Sequence, residues 1–426
     1  MDVHNGTGNI FFAGLLEKDD PNYHNLVVLY LSDDNGATWD QCVGYSPWGD
    51  VYDVACAVLD NYVYLAYTSA DTTVKVQRFL ASDGSPATHG DGSTIATALT
   101  TFPPYYFREI VLVSNEDVYS TPVRRLFLFG LDDRAVEFAI GSDNGWDWND
   151  WPDNEGLAER GLSATINAVY GSYSSHYDFL LSYVDKYDNL RIDGYKIVSG
   201  WDLWLVTEAL DPGAGMTGIS AHNDTVWCVY EDMHLSSRAI SYRRSSTGGD
   251  SWSLSGSLFG SEPYRAPAIT LRNGGGIGLG WQQGSIFRDG MVRFREYDGT
   301  SWDGALVEFS DNFVFGRTPV IEYLGKDMFG LAYIGLGGPS PQAAYFDAVS
   351  SCCEGIRGNV DGDSGEGINV ADVTFLVAYL FQGGDKPECY TEADTNGDPS
   401  WSINVADLTF LVGYLFQGGS APAGCP

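Results

Sequence analysis

Short apolar and aromatic runs bounded by turn residues recur over residues 1–350. Examples are NLVVLYLS (Asn25–Ser32), YVYLAYTS (Tyr62–Ser69), RRLFLFGL (Arg124–Leu131), DFLLSYVD (Asp178–Asp185) and TVWCVYED (Thr225–Asp232). Their length and their β-branched and aromatic content predict strands, and no long helical period interrupts them. After residue 350 the pattern changes. VADVTFLVAYLFQGG (Val370–Gly384) and VADLTFLVGYLFQGG (Val405–Gly419) are apolar on nearly every side and stop at a Gly-Gly pair. They predict two helices that must bury themselves against each other or against a partner. The chain therefore divides into a β region, 1–350, and a small helical region, 351–426.

The helical region is a tandem repeat. Asn359–Gly384 aligns with Asp394–Gly419 at an offset of 35 residues without a gap. Oxygen-bearing side chains occupy the first, third and fifth positions of each copy: Asn359, Asp361 and Asp363, then Asp394, Asn396 and Asp398. Each copy continues Ile-Asn-Val-Ala-Asp, adding Asn369 and Asp372, then Asn404 and Asp407. Alternating Asp and Asn in a tight loop, closed by a carboxylate at a helix start, suit a hard divalent cation that takes six to eight oxygens. Crowded acidic oxygens also predict that the tail's folding depends on that cation.

These two copies resemble the dockerin type I family, with its EF-hand-like loop order and Asp at the closing position. The resemblance implies two bound calcium ions and a protein partner, a cohesin-like domain or another copy of the chain. Both loops depart from the family by two extra residues between the fifth position and the buried aliphatic, Asp363 to Ile368 and Asp398 to Ile403. That leaves the family's backbone-carbonyl ligand, here Gly367 and Ser402, the least secure part of the carry-over. Val370-Ala371 and Val405-Ala406 match the pair with which dockerins select a partner, and here they are apolar instead of hydroxylic.

The β region carries a weaker repeat. Ser32–Trp39 (SDDNGATW) fits Ser-x-Asp-x-Gly-x-x-Trp through Ser32, Asp34, Gly36 and Trp39. Asp143, Gly145 and Trp148 keep most of it, and Gly249 with Trp252 and Gly299 with Trp302 keep less. The pattern resembles the Asp-box turn of sialidase-type propellers, a structural motif in which Asp accepts backbone hydrogen bonds, Gly makes the turn and Trp covers it. The tryptophans stand 109, 104 and 50 residues apart, which spaces blades at about 52 residues and predicts a mainly β fold. It would be a seven-bladed propeller, or six-bladed as in the sialidase branch, followed by the small EF-hand-like domain. Only two strand-like runs precede the first Asp-box, and the last blade shows three, so a strand is expected to be missing at one or both ends.

Charge narrows the functions. There are 57 acidic and 23 basic residues, a formal net charge of −34, which repels nucleic acid and anionic membrane. No run is long enough to span a bilayer. Met1 is followed by polar residues without a secretory pattern, so either a leader has been removed or trimmed from this numbering, or the protein is not secreted by that route. Cys352, Cys353, Cys389 and Cys425 flank the two loops as stapling disulfides would in a secreted module. Cys42, Cys56 and Cys228 leave an odd thiol over.

Catalytic signals are sparse. Arg108, Arg265 and Arg317 each precede a strand-like run, and the last two faintly resemble the Arg-x-Pro signature of sialidases. No Asp acid or Tyr-Glu pair can be placed with them, and the six histidines lack metal-ligand spacing. The sequence therefore predicts a secreted or surface-exposed, non-catalytic binding protein docked by its calcium-stabilised tail, with carbohydrate a candidate ligand. The alternatives are a sialidase-like glycoside hydrolase and a self-assembling extracellular subunit.

Overall fold

The computed structural model describes residues 1–426 except 5, 18–24, 35, 37, 46–49, 71, 102–104, 115–124, 133–135, 143–150, 154–157, 167–178, 199–201, 223, 234–238, 253, 259–263, 272–275, 284–290, 298–301, 303–306, 309–318, 326–327, 336–342, 350–352, 354–356, 363–366, 385–386, 388, 398–402, 423 and 425–426. The strands form seven antiparallel sheets, each contiguous in sequence. The first blade comprises Asp2–Val3, Ile10–Glu17, Asn25–Ser32 and Asp40–Tyr45, and the second begins at Val54–Leu59. The inner strands of the remaining blades are Glu109–Ser114, Ala158–Ile166, Ala214–His222, Tyr264–Leu271 and Val320–Gly325. Each of these first strands runs beside the first strand of the next blade, which places them at the centre of a seven-bladed propeller. The six-bladed alternative is excluded.

Both ends of the ring differ in strand number. The first blade is complete, because Asp2–Val3 pairs antiparallel with the strand beginning at Ile10. The expectation of a missing strand there is corrected: two residues are too few to show a period. The seventh blade has three strands among the described residues, ending at Ala343–Val349.

Alternation along each strand sends apolar side chains to both faces, and the blades bury them against one another. The third and fourth blades meet through Phe127, Phe129, Phe138, Phe179 and Tyr195, with Phe179 stacked on Tyr195 at 4.7 Å between centroids. The fifth and sixth meet through Trp227, Ile240, Leu279 and Trp281. Aromatic rings of this size each remove about 150–250 Å² from water, so these layers dominate the stability. The ring closes where Trp39 of the first blade packs on Phe346 of the seventh at 4.8 Å.

A second set of contacts joins the inner strands. The Asp2 carboxylate accepts from Val58 N at 2.6 Å, Asp53 from Ile110 N at 2.7 Å, and Glu109 from Leu162 N at 2.7 Å. Hydroxyls take over at later junctions: Ile219 N donates to Ser163 Oγ at 3.2 Å, and Leu271 N to Ser220 Oγ at 3.1 Å. Each side chain accepts from a backbone donor one blade further on, and of these donors Leu162 lies at a register shift of its strand.

Asp53 is the junction with a pH consequence. Burial outweighs its two backbone N–H bonds and pushes its acid up to about 7, against about 3.9 in an unfolded chain. Folding therefore takes up a proton between about pH 4 and pH 7, and stability falls as pH rises through that window before levelling off. Asp53→Asn removes this charge. Its melting temperature should fall less steeply than wild type across the window, and parallel slopes would show that Asp53 does not carry the effect.

Candidate metal centres in the C-terminal repeats

The tail folds as two helices, α1 (Val370–Gln382) and α3 (Val405–Gln417), with a short turn of helix, α2 (Tyr390–Ala393), between them. Val360, Leu376, Ala393 and Leu411 form its buried core. The sequence repeat is matched in the backbone of the caps. The N-caps Asn369 and Asn404 have φ, ψ of −147°, −169° and −145°, −172°, and the C-caps Gly383 and Gly418 lie at 68°, 29° and 68°, 30°. Within the loops Gly362 and Gly397, each three residues after the first predicted ligand, both take the left-handed region, with φ 67° and 63°.

The closing aspartates hold the loops onto the helices. Asp372 is wholly buried. Its Oδ1 accepts from Val360 N at 2.7 Å and Asp361 N at 3.2 Å, and its Oδ2 from Asn369 N at 2.7 Å. Asn369 Oδ1 in turn accepts from Ala371 N, which completes a capping box. Asp407 repeats this, accepting from Asn396 N at 3.3 Å and Asn404 N at 2.9 Å. Burial raises the Asp372 acid above the usual carboxylate range; its backbone donors oppose that and neighbouring Asp361 adds to it.

The donor set fits calcium by its chemistry: oxygen throughout, with carboxylates from the third and closing positions of the first loop and the first and closing positions of the second. No three His, Cys, Asp or Glu side chains cluster at metal-ligand spacing among the described residues; Asp363, Asp398 and Ser402 lie outside them. Gly367, the candidate carbonyl ligand, accepts from Asn369 Nδ2 at 2.6 Å. The first loop draws Asn359, Asp361, Asn369 and Asp372 into one turn and helix start. In the second, Arg357 pairs with the buried Asp394, an ion pair that sequence reading missed. Cys353 and Cys389 each take part in a disulfide, Cys352 and Cys425 lie outside the described residues, and Cys42, Cys56 and Cys228 are free thiols.

The turns of the propeller are self-contained. Ser32 Oγ donates to Asp34 Oδ1 and accepts from Gly36 N at 2.7 Å; Asp34 accepts from Thr38 N at 2.8 Å; Trp39 Nε1 donates to Gly36 O at 3.0 Å. In the turn before Trp252, Ser245 Oγ accepts from Gly249 N at 3.0 Å, and Thr247 Oγ1 accepts from Ser251 N at 3.0 Å in the place Asp34 holds. That residue, two after the serine, was findable from spacing alone. Trp302 packs edge-on against Trp227. Asp143, Gly145, Trp148 and Gly299 lie outside the described residues. Arg108 is exposed before the third blade's inner strand and Arg265 is half-buried in the sixth blade; Arg317 lies outside the described residues.

No family model matches the chain, and no curated protein matches it. Solved structures similar to it include the fucose-specific lectin from Aleuria aurantia, 10% identical over 68% of this chain and 93% of that one, at a TM-score of 0.42. The NanB sialidase from Streptococcus pneumoniae is 10% identical over 81% of this chain and 67% of that one, also at 0.42. At these TM-scores neither likeness bears on function.

Proposed function

We propose that the chain is a non-catalytic extracellular binding protein. Its propeller is a rigid recognition body, and its dockerin-like tail, stabilised by two calcium ions, docks it to a partner protein. The observation that carries this reading is a duplicated apolar surface. Val370 and Phe381 on α1 are 56% and 61% exposed, and their counterparts Val405 and Phe416 on α3 are 53% and 61% exposed. Large apolar side chains left in water at the same place in both repeats suit an occupant on that face. Ala371 and Ala406, beside the two valines, are exposed as well. Beside α1, Asp361, Ala371, Thr374, Phe375 and Ala378 line an open depression of about 450 Å³. The disulfide-bonded Cys353 and Cys389 support an oxidising compartment, and no helix among the described residues is long and apolar enough to cross a membrane.

The test is capture of the full chain on immobilised cohesin-type domains. Binding is expected in calcium, lost on chelation, and lost in Phe381→Ser/Phe416→Ser, whose exposed side chains are not needed for folding. Absence of capture in calcium, together with sustained turnover of aryl glycosides by the same preparation, would replace this reading with the hydrolase.

A further inference from the structure

The two repeats agree in their caps, in the left-handed glycines Gly362 and Gly397, and in their closing aspartates, but they differ around the first ligand. Two residues before the first ligand, one copy has Arg357 and the other Glu392; at the first ligand, one has Asn359 and the other Asp394. The differences are joined in space. Gly358 N donates to Glu392 O at 2.9 Å, which lays the approaches to the two loops side by side. From there Arg357 crosses the module. Its Nη1 donates to Asp394 Oδ2 and, at 3.2 Å, to Asp394 O. Arg357 is 5% exposed and Asp394 fully buried.

A buried carboxylate without a counter-charge is strongly disfavoured. In an EF-hand-like loop that counter-charge is ordinarily the metal. Here the second loop has one of its own, Arg357, and at the matching position of the other copy stands an acid, Glu392. With Oδ2 bonded to the guanidinium, Asp394 offers a metal at most its other oxygen. The sequence, in which each loop has three aspartates, implies equal loops; the crossing arginine makes them unequal.

We propose that Arg357 is the resident cation of the second loop: it neutralises Asp394 in the metal-free chain, so that the second loop keeps its fold without calcium while the first depends on calcium. This rests on the calcium reading above. Calcium would then act mainly as a switch on the first loop and α1, with the α3 half as a standing platform.

Peptide-resolved amide hydrogen exchange on the full chain, in calcium chloride and in chelator, tests it. In chelator, segment 393–407 of the wild type should keep about tenfold or more greater protection than segment 358–372. In Arg357→Met that difference should vanish in chelator and calcium should restore both segments; Arg357→Lys, which keeps the charge, should behave nearly as wild type. The proposal is overturned if the two wild-type segments lose protection equally on chelation. It is also overturned if Arg357→Met loses protection at 393–407 to the same extent with calcium bound, which would make the arginine a packing residue only. If chelator changes neither wild-type segment, the calcium reading falls and the proposal with it.

Discussion

Asp372→Ala should abolish the order of the first repeat, and Asp407→Ala that of the second, with the propeller left intact. Three backbone donors converge on the Asp372 carboxylate, those of Val360, Asp361 and Asn369. Losing the capping box costs about 1 kcal/mol, and each buried N–H left unsatisfied costs about 1–3 kcal/mol. Val360 N is the buried donor of the three, so the sum is about 2–4 kcal/mol, comparable with the whole stability that a core of this size supplies; four residues make up its buried centre. The far-UV helical signal and the protease resistance of the tail report the outcome. Asp372→Asn retains an acceptor and should lose less. If Asp372→Ala melts within a degree of wild type, with and without calcium, the loop is not held by its closing aspartate.

The other large effect lies at the ring closure. Gly36 has φ +91°, and a β-carbon built on it would stand 2.0 Å from Cε1 of Phe346 in the seventh blade. Gly36→Ala thus combines left-handed strain of about 1–2 kcal/mol with overpacking of about 1–3 kcal/mol. Neither is relieved without moving the aromatic pair of Trp39 and Phe346, so the seam should loosen and the melting temperature drop by several degrees. Gly92 provides the control, with φ +83° and nothing within 4 Å of its would-be β-carbon. Gly92→Ala carries the strain alone and should cost about 1–2 kcal/mol. Equal melting temperatures for the two variants would remove the steric part of the argument.

The strands were legible because each long run alternates or is wholly apolar, and the blade number because tryptophans recur at multiples of one length. What escaped shares a cause. Asp2–Val3 is a strand only by virtue of its partner at Ile10 and Phe11. Asp53 and Glu109 look like surface acids until the fold brings a backbone N–H from the next blade against each, more than fifty residues further along the chain. Thr247 replaces the aspartate of its turn because a hydroxyl can accept the same backbone bond at the same spacing. In the tail, ligand positions were readable because they occur twice. The Arg357–Asp394 pair was not, because it links positions at which the copies differ.

Among the described residues each blade is drawn from one contiguous stretch of chain, and no sheet is shared between the two ends of the propeller. For the gene, this means that blades are separable units of inheritance. An in-frame duplication or deletion of one blade's codons adds or removes a sheet without requiring a matched change at both ends of the domain. The inner-strand bonds from each blade to its successor would be copied with it, and only the seam between the first and last blades, where Trp39 meets Phe346, would have to adapt to the new curvature.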